Sequence, residues 1–159
     1  MASKAEAAIA VFQKHLGSEE GVSEWFTIDQ ERINAFADAT LDHQFIHIDP
    51  EKSAQLSPYK VTIAHGFLTL SMVVNLGKTI PVCDPKAYEG VMMGVNYGFE
   101  KVRFISPVKV GSRIRVHSLL SKVDLKGNSV QQTQTMTVEI EGESKPALVA
   151  DWVTRTVYA

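Results

Sequence analysis

The feature that most restricts what this chain can fold into is the run from Gly66 to Gly77, GFLTLSMVVNLG. At 3.6 residues per turn, Phe67, Leu68, Leu70, Met72, Val73, Val74 and Leu76 fall on every side of a helix, and Gly77 supplies its stop. A helix that is apolar all round has to be buried. In a chain of 159 residues the only body large enough to surround it is a sheet made from the rest of the sequence.

The second half supplies that sheet. Val91 to Phe104, Arg113 to Val123, Ser129 to Glu141 and Ala147 to Tyr158 are rich in β-branched and aromatic residues, with partial alternation such as Val130, Gln132, Gln134 against Gln131, Thr133, Thr135. Turn signals separate them: Ser106-Pro107 with Gly111, Lys126-Gly127-Asn128, and Gly142 with Pro146. The pattern predicts an antiparallel meander following helices, an α+β fold. No repeat, low-complexity tract or linker divides it, so residues 1–159 are expected to form a single domain.

Upstream, Ile9, Phe12 and Leu16 share a face of a helix from Ala5 to Leu16 that Gly17 closes, a surface helix within residues 1–17. Trp25 to Ile28 reads as a short strand. Thr27 or Asp29 caps a helix running to Thr40, with Ile33, Phe36 and Ala37 on one face. Asp49 caps a second, short helix opened by Pro50, and Ser57-Pro58 marks a turn.

Charge and composition narrow the function. A net charge of −2 with no Lys/Arg run leaves no footprint for nucleic acid. No stretch reaches the ~18 apolar residues of a membrane span, and the N-terminus lacks the pattern of a targeting signal. Cys83 is the one cysteine, so no intrachain disulfide is possible and a reducing, cytosolic setting is expected.

Chemistry concentrates between Phe36 and Leu76. Asp42 and His47 stand five residues apart, roughly 140° on a helix and on opposite faces of a strand, so the two meet most easily on an irregular segment. Further on, Ala64-His65-Gly66 opens the apolar helix. A carboxylate and an imidazole can clamp one water and move its protons, since imidazole changes charge near pH ~6.5. The free N–H groups of a helix N-terminus can meet negative charge on an oxygen, and Gly66 has no side chain to block approach. His43 and His47 also stand at the spacing of a helical zinc pair, but Gln44 replaces the Glu that follows the first His of the zinc-protease motif, and Pro50 argues against a continuous helix. No metal is expected.

These residues resemble the MaoC-like dehydratase family, the (R)-specific enoyl-CoA hydratases of hot-dog fold, and within it the NodN-like branch. The text that carries the likeness is Phe36-Ala37-Asp38-Ala39-Thr40, then Asp42-x-x-x-x-His47-x-Asp49-Pro50, Ile63-Ala64-His65-Gly66-Phe67-Leu68-Thr69, and Val102-Arg103-Phe104-x-x-Pro107-Val108-x-x-Gly111. The resemblance implies a curved antiparallel sheet wrapped around a central helix and a homodimer with sites at or near its interface. It also implies reversible hydration of a trans-2-enoyl-CoA to a 3-hydroxyacyl-CoA, with Asp42 and His47 catalytic, the Gly66 N–H as oxyanion donor, and no cofactor beyond the CoA carried by the substrate. Ser71 falls where some relatives have a serine near the site, which makes it a candidate substrate contact. Gln44 and Phe45 depart from the family's commoner Asn and Pro, which bears on substrate range; an aromatic there resembles the NodN-like branch.

Duller readings stand beside these. Asp42 can simply turn the chain after Thr40, His47 can be a satisfied half-buried histidine, Gly66 a packing glycine, and His65 is assigned no chemistry. Asp49 is foremost a helix cap, and Asn96 and Tyr97 either line an acyl pocket or only pack. Lys60, Lys101, Arg103 and Arg113 are candidates for the CoA phosphates, and Phe67, Met72, Met92, Met93 and Phe99 for the limit on chain length. Two other functions fit the fold: a hot-dog acyl-CoA thioesterase, and a non-catalytic acyl-CoA-binding or scaffold subunit.

Overall fold

In the computed structural model, which describes residues 2–82 and 84–159, the four long strands lie where the sequence pattern puts them: β3 (Val91–Phe104), β4 (Arg113–Lys126), β5 (Ser129–Ile140) and β6 (Leu148–Tyr158). Cys83 lies outside the described residues. Two short strands, β1 (Glu19–Val22) and β2 (Phe26–Thr27), complete a six-stranded antiparallel sheet in which both pair with β4. The order β1-β4-β5-β6-β3 departs from a plain meander, because β3 joins β6 at the far edge instead of its sequence neighbour β4. The chain from Ile105 to Ser112 makes that crossover, and on the way it pairs with the segment leading into α5 (Gly66–Gly77): Ala64 N donates to Val108 O at 2.8 Å and Val110 N to Thr62 O at 2.9 Å.

Helix α5 lies on the sheet through Leu68, Thr69, Met72, Val73 and Leu76, which are buried with Met136, Val138, Leu148 and Ala150 from the strands below. The expectation of an enclosed helix needs correction. Phe67 is 68% exposed and Val74 37%, and with Ser71 and Lys78 they form a stripe that the sheet does not cover. One curved sheet has only one concave face, so within a single chain the helix is cradled rather than surrounded. Curved sheet and cradled helix together make the α+β hot-dog architecture.

The remaining helices are α1 (Lys4–Phe12), α2 (Gln30–Thr40), the single turn α3 (Phe45–Ile48) and α4 (Pro50–Leu56). Of these, α2 and α3 meet at the N-terminal end of α5, followed by α4, whereas α1 packs on the sheet against Leu120, Val130 and Tyr158. Ser3 caps α1 in a reciprocal box with Glu6, and its buried face is Ala5, Ala8 and Phe12 rather than Ile9, Phe12 and Leu16. Leu16 falls beyond the helix, after a 3₁₀ turn at Gln13–His15, and is 48% exposed. Asp29 caps α2 and Asp49 caps α4, each accepting a backbone N–H from three residues on. Among the described residues no helix is long and apolar enough to cross a membrane.

Candidate active site

Three stretches of chain converge at the N-terminal end of α5, and each is steered there by its local sequence. Helix α2 stops at Leu41, whose φ of 63° turns the chain in the left-handed region and brings in Asp42. The expected loop then winds into the one-turn α3, which carries His47 and ends at the Asp49 cap. Gln30 ties the pieces together: its Nε2 donates to His47 O at 2.7 Å, and the Thr62 hydroxyl donates to its Oε1. Ile63 N donates to Ile46 O at 2.9 Å, so α3 is bonded to the strand-like lead of α5.

The hydrogen bonds assign the ring protons. His47 Nδ1 lies 2.7 Å from Ile63 O, and a carbonyl can only accept, so Nδ1 carries the hydrogen and Nε2 keeps its lone pair. His65 Nε2 lies 2.9 Å from Asp42 O and by the same reasoning is the donor, which leaves His65 Nδ1 buried without a partner among the described residues. The two imidazoles stack with centroids 3.8 Å apart, and the Phe36 ring lies 5.0 Å from that of His65. Burial lowers the His47 pKa from 6.5; His65 adds to that, while the Ile63 bond and Asp42 oppose it. His47 is therefore a neutral acceptor at physiological pH.

Asp42 is the exposed member of the group. A carboxylate oxygen of Asp42 and one ring nitrogen each of His47 and His65 all lie within 4.8 Å of one another. A water that donates to two acceptors about 2.8 Å away spans ~4.4 Å between them, so this spacing suits one water held by both hydrogens. Its lone pairs then point away from the protein groups, as a nucleophile requires.

The same three side chains invite a comparison with a metal centre. The stacked rings lie in nearly parallel planes, so a cation between them would sit well out of the plane of at least one ring and miss its lone pair. His43 does not join His47 in the zinc-type pair; its ring is turned to Asp38 at 2.8 Å.

Gly66 is the first residue of α5, one position after His65, where the N–H has no carbonyl within the helix to reach. Phe67 and Phe104, ring centroids 6.0 Å apart, form an apolar rim beside it, and a Cβ on Gly66 would come 3.0 Å from Phe104 Cδ1 and Cε1. Ser71 lies one turn along, exposed, its hydroxyl donating to Phe67 O at 2.7 Å. Asp49 is occupied with its cap, so the group that orients His47 is the Ile63 carbonyl.

The other expectations divide. Arg113 is held by Glu141 at 3.1 Å and lies over the Trp25 ring, at the β2 end of the sheet. Met72 is a core residue, whereas Phe67, Met92, Met93 and Phe99 are exposed. Sequence reasoning missed Gln30 and the stacking of His65. The position of His65 directly before the helix was a usable signal for the second; nothing in the sequence marked the first.

Comparison with known proteins gives a consistent result. The family model described as MaoC like domain matches residues 11–143. Nodulation protein N of Rhizobium leguminosarum bv. viciae is 49% identical over 150 residues, 94% of this chain and 91% of that protein. The 3-hydroxyacyl-thioester dehydratase Z of Mycobacterium tuberculosis is 49% identical over 142 residues, 89% of this chain and 90% of that one. Among solved structures, an (R)-hydratase from A. caviae involved in PHA biosynthesis superposes with a TM-score of 0.67 at 21% identity, covering 87% of this chain and 94% of its own.

Proposed function

The chain belongs to the MaoC-like dehydratase family, and on that premise we propose that it is an (R)-specific enoyl-CoA hydratase, converting trans-2-enoyl-CoA reversibly to (3R)-3-hydroxyacyl-CoA. The observation that carries the reading is a His47 whose Nδ1 is committed to Ile63 O, with a ring nitrogen within 4.8 Å of an Asp42 carboxylate oxygen and its ring stacked on His65, the residue before the first of α5.

The arrangement accounts for the atoms. Asp42 and His47 Nε2 hold the two hydrogens of a water, and its oxygen attacks C3 of the enoyl thioester. The C2–C3 π electrons shift towards the thioester carbonyl, and the Gly66 N–H stabilises the charge that gathers on its oxygen. His47 Nε2 takes the proton that the water gives up. The enolate then collapses and C2 takes that proton back from the imidazolium, which regenerates neutral His47. Because one imidazole receives and returns the proton, hydroxyl and hydrogen arrive on the same face. Dehydration is the same path reversed, and neither metal nor organic cofactor enters it.

A homodimer belongs to the same reading. Strand β3 is fourteen residues long and, within the described residues, pairs only with β6. Its Met92, Met93, Val95, Tyr97 and Phe99 are all exposed. An edge of that length with apolar side chains is a template for another strand, and the same strand of a second copy, running antiparallel, satisfies both edges at once. A cytosolic setting is part of the proposal.

The test is the loss of conjugated ultraviolet absorbance from crotonyl-CoA, with the chirality of the product determined. Asp42→Ala and His47→Ala should each lower kcat by about 10² to 10⁴. Normal turnover in both variants removes the assignment. Release of free thiol from saturated acyl-CoA would favour a thioesterase instead, and saturable binding without turnover a scaffold subunit.

A further inference from the structure

Away from the Asp42 cluster, a cavity of about 580 Å³ opens on the concave face of the sheet beside the C-terminal half of α5. Its walls include Val74 and Gly77 of α5, its C-cap Lys78, Ile80, Pro81 and Val82 of the following loop, and residues of β3, β5 and β6. It lies between two apolar cores. One is the α5 cluster with Met136, Val138 and Ile140; the other joins α1 to Leu120, Val130 and Tyr158. Every second residue of β5 faces this side, and where the series passes from Val130 to Met136 it is broken by Gln132 and Gln134.

The two glutamines differ in what they bond. Gln134 Nε2 donates to Glu20 Oε2 at 2.6 Å, and Ser118 Oγ donates to the same oxygen. Gln132 is 5% exposed and its Nε2 has no partner among the described residues. A buried amide donor left unpaired is costly, whereas a Leu or Val at the same point would have continued the core. Gln132 is also not isolated: it pairs across the sheet with Thr154, and Thr154 with Asn96. All three residues line the cavity.

The cavity and the reacting end are joined by one line of residues. Phe67, Ser71, Val74 and Lys78 recur at i, i+4, i+7 and i+11 along the face of α5 that the sheet leaves open. Phe67 borders Gly66, and Val74 and Lys78 border the cavity. At 1.5 Å per residue, Val74 stands about 12 Å from Gly66 along the axis.

We propose that this cavity receives the far end of the acyl chain, and that the row Asn96, Thr154, Gln132 selects enoyl thioesters carrying an oxygen function, a hydroxyl or a carbonyl, about 12 Å or more from the thioester. The inference rests on the hydratase reading above. An alkyl chain alone leaves the Gln132 amide unpaired; an oxygen at that depth accepts from it. The flanking Val74, Ile80 and Trp152 cover the methylenes before it.

The experiment compares trans-2-dodecenoyl-CoA with its ω-hydroxy analogue on the full-length protein. The wild type should show the higher kcat/KM for the hydroxylated chain, expressed mainly in KM. Gln132→Leu, and separately Thr154→Val, should each lower the ratio of the two by about tenfold. Calorimetric binding of ω-hydroxydodecanoyl-CoA against dodecanoyl-CoA should show the same preference without turnover. Equal constants for the two chains in the wild type, with a ratio that Gln132→Leu does not move, would mean that the cavity holds only water, and would overturn the inference. Crotonyl-CoA run alongside separates the two readings: failure to hydrate it removes the hydratase, and the binding comparison then decides the cavity by itself.

Discussion

Replacing Gly66 by proline deletes one hydrogen atom from the proposed chemistry while leaving the helix able to form. Proline is accommodated at the first helical position, where no intrahelical bond is lost, and its fixed φ suits the turn. The residue before a proline must be extended, and His65 already is, at φ −58° and ψ 138°. The added Cβ would meet Phe104 at 3.0 Å, but that ring is 51% exposed and free to swing outwards. Gly66→Ala brings the same Cβ and keeps the N–H, so it controls for the contact with Phe104, while proline further replaces the N–H hydrogen by its Cδ. The difference between the two variants is then the oxyanion donor together with the Cδ that takes its place, at least about 2.7 to 4 kcal/mol, or 10² to 10³ in kcat. Stopped-flow hydration of crotonyl-CoA at saturating substrate measures it, with circular dichroism and melting to confirm that both variants fold. Equal kcat for Gly66→Ala and Gly66→Pro would refute the assignment of the helix N-terminus.

Other outcomes follow from the same geometry. Hydration should fail as His47 takes a proton, so the acid limb of kcat/KM lies below pH 6.5. In Asp42→Asn the opposing carboxylate at 4.8 Å or less is gone, and in a water-like dielectric that is about 0.9 kcal/mol. The His47 ring resonance should accordingly titrate about 0.6 pH unit lower; an unmoved or raised value contradicts the placement. With the folded His47 pKa below its unfolded one, its linkage term leaves stability intact above pH 6.5 and lowers it as pH falls through and below that value, which urea titrations across pH would reveal. Ser3→Ala removes the α1 capping box and should cost about 1 kcal/mol of unfolding free energy, read by urea denaturation. The wild type should sediment at twice its 17.5 kDa, and Met93→Glu with Phe99→Glu on the β3 edge should return it to the monomer; a wild type that sediments as a monomer discards the dimer.

Local chemistry was legible wherever it decided the structure by itself. Asp49, and Asp29 as one of two candidates with Thr27, read as caps because such oxygens are the nearest acceptors for N–H groups that every helix leaves unpaired; the structure chose Asp29. The long strands were readable because β-branched runs between Gly and Pro punctuation have no competing helical period. The errors fell where distant chain intervened. Leu16 continued the apolar spacing of α1, yet the helix had turned into a 3₁₀ segment before reaching it. Strand β1 carries Glu19, Glu20 and Gly21, a poor strand by propensity, and exists because β4 offers it an edge.

The site divides along the same line. By itself the sequence determined which groups were on hand: a carboxylate and an imidazole on one short segment, and an apolar helix opening on His65 and Gly66. Those are matters of spacing and residue type, which one-dimensional patterns carry. Only the tertiary structure decided their states. Ile63, sixteen residues away, assigns the proton on His47; Gln30 and Thr62 hold the segment in place; burial, and after it the stacked His65, lowers the histidine's basicity. A pKa, a tautomer and an unpaired amide are properties of the surroundings, and the surroundings are assembled by the crossover that brings residues 62–64 alongside 108–110.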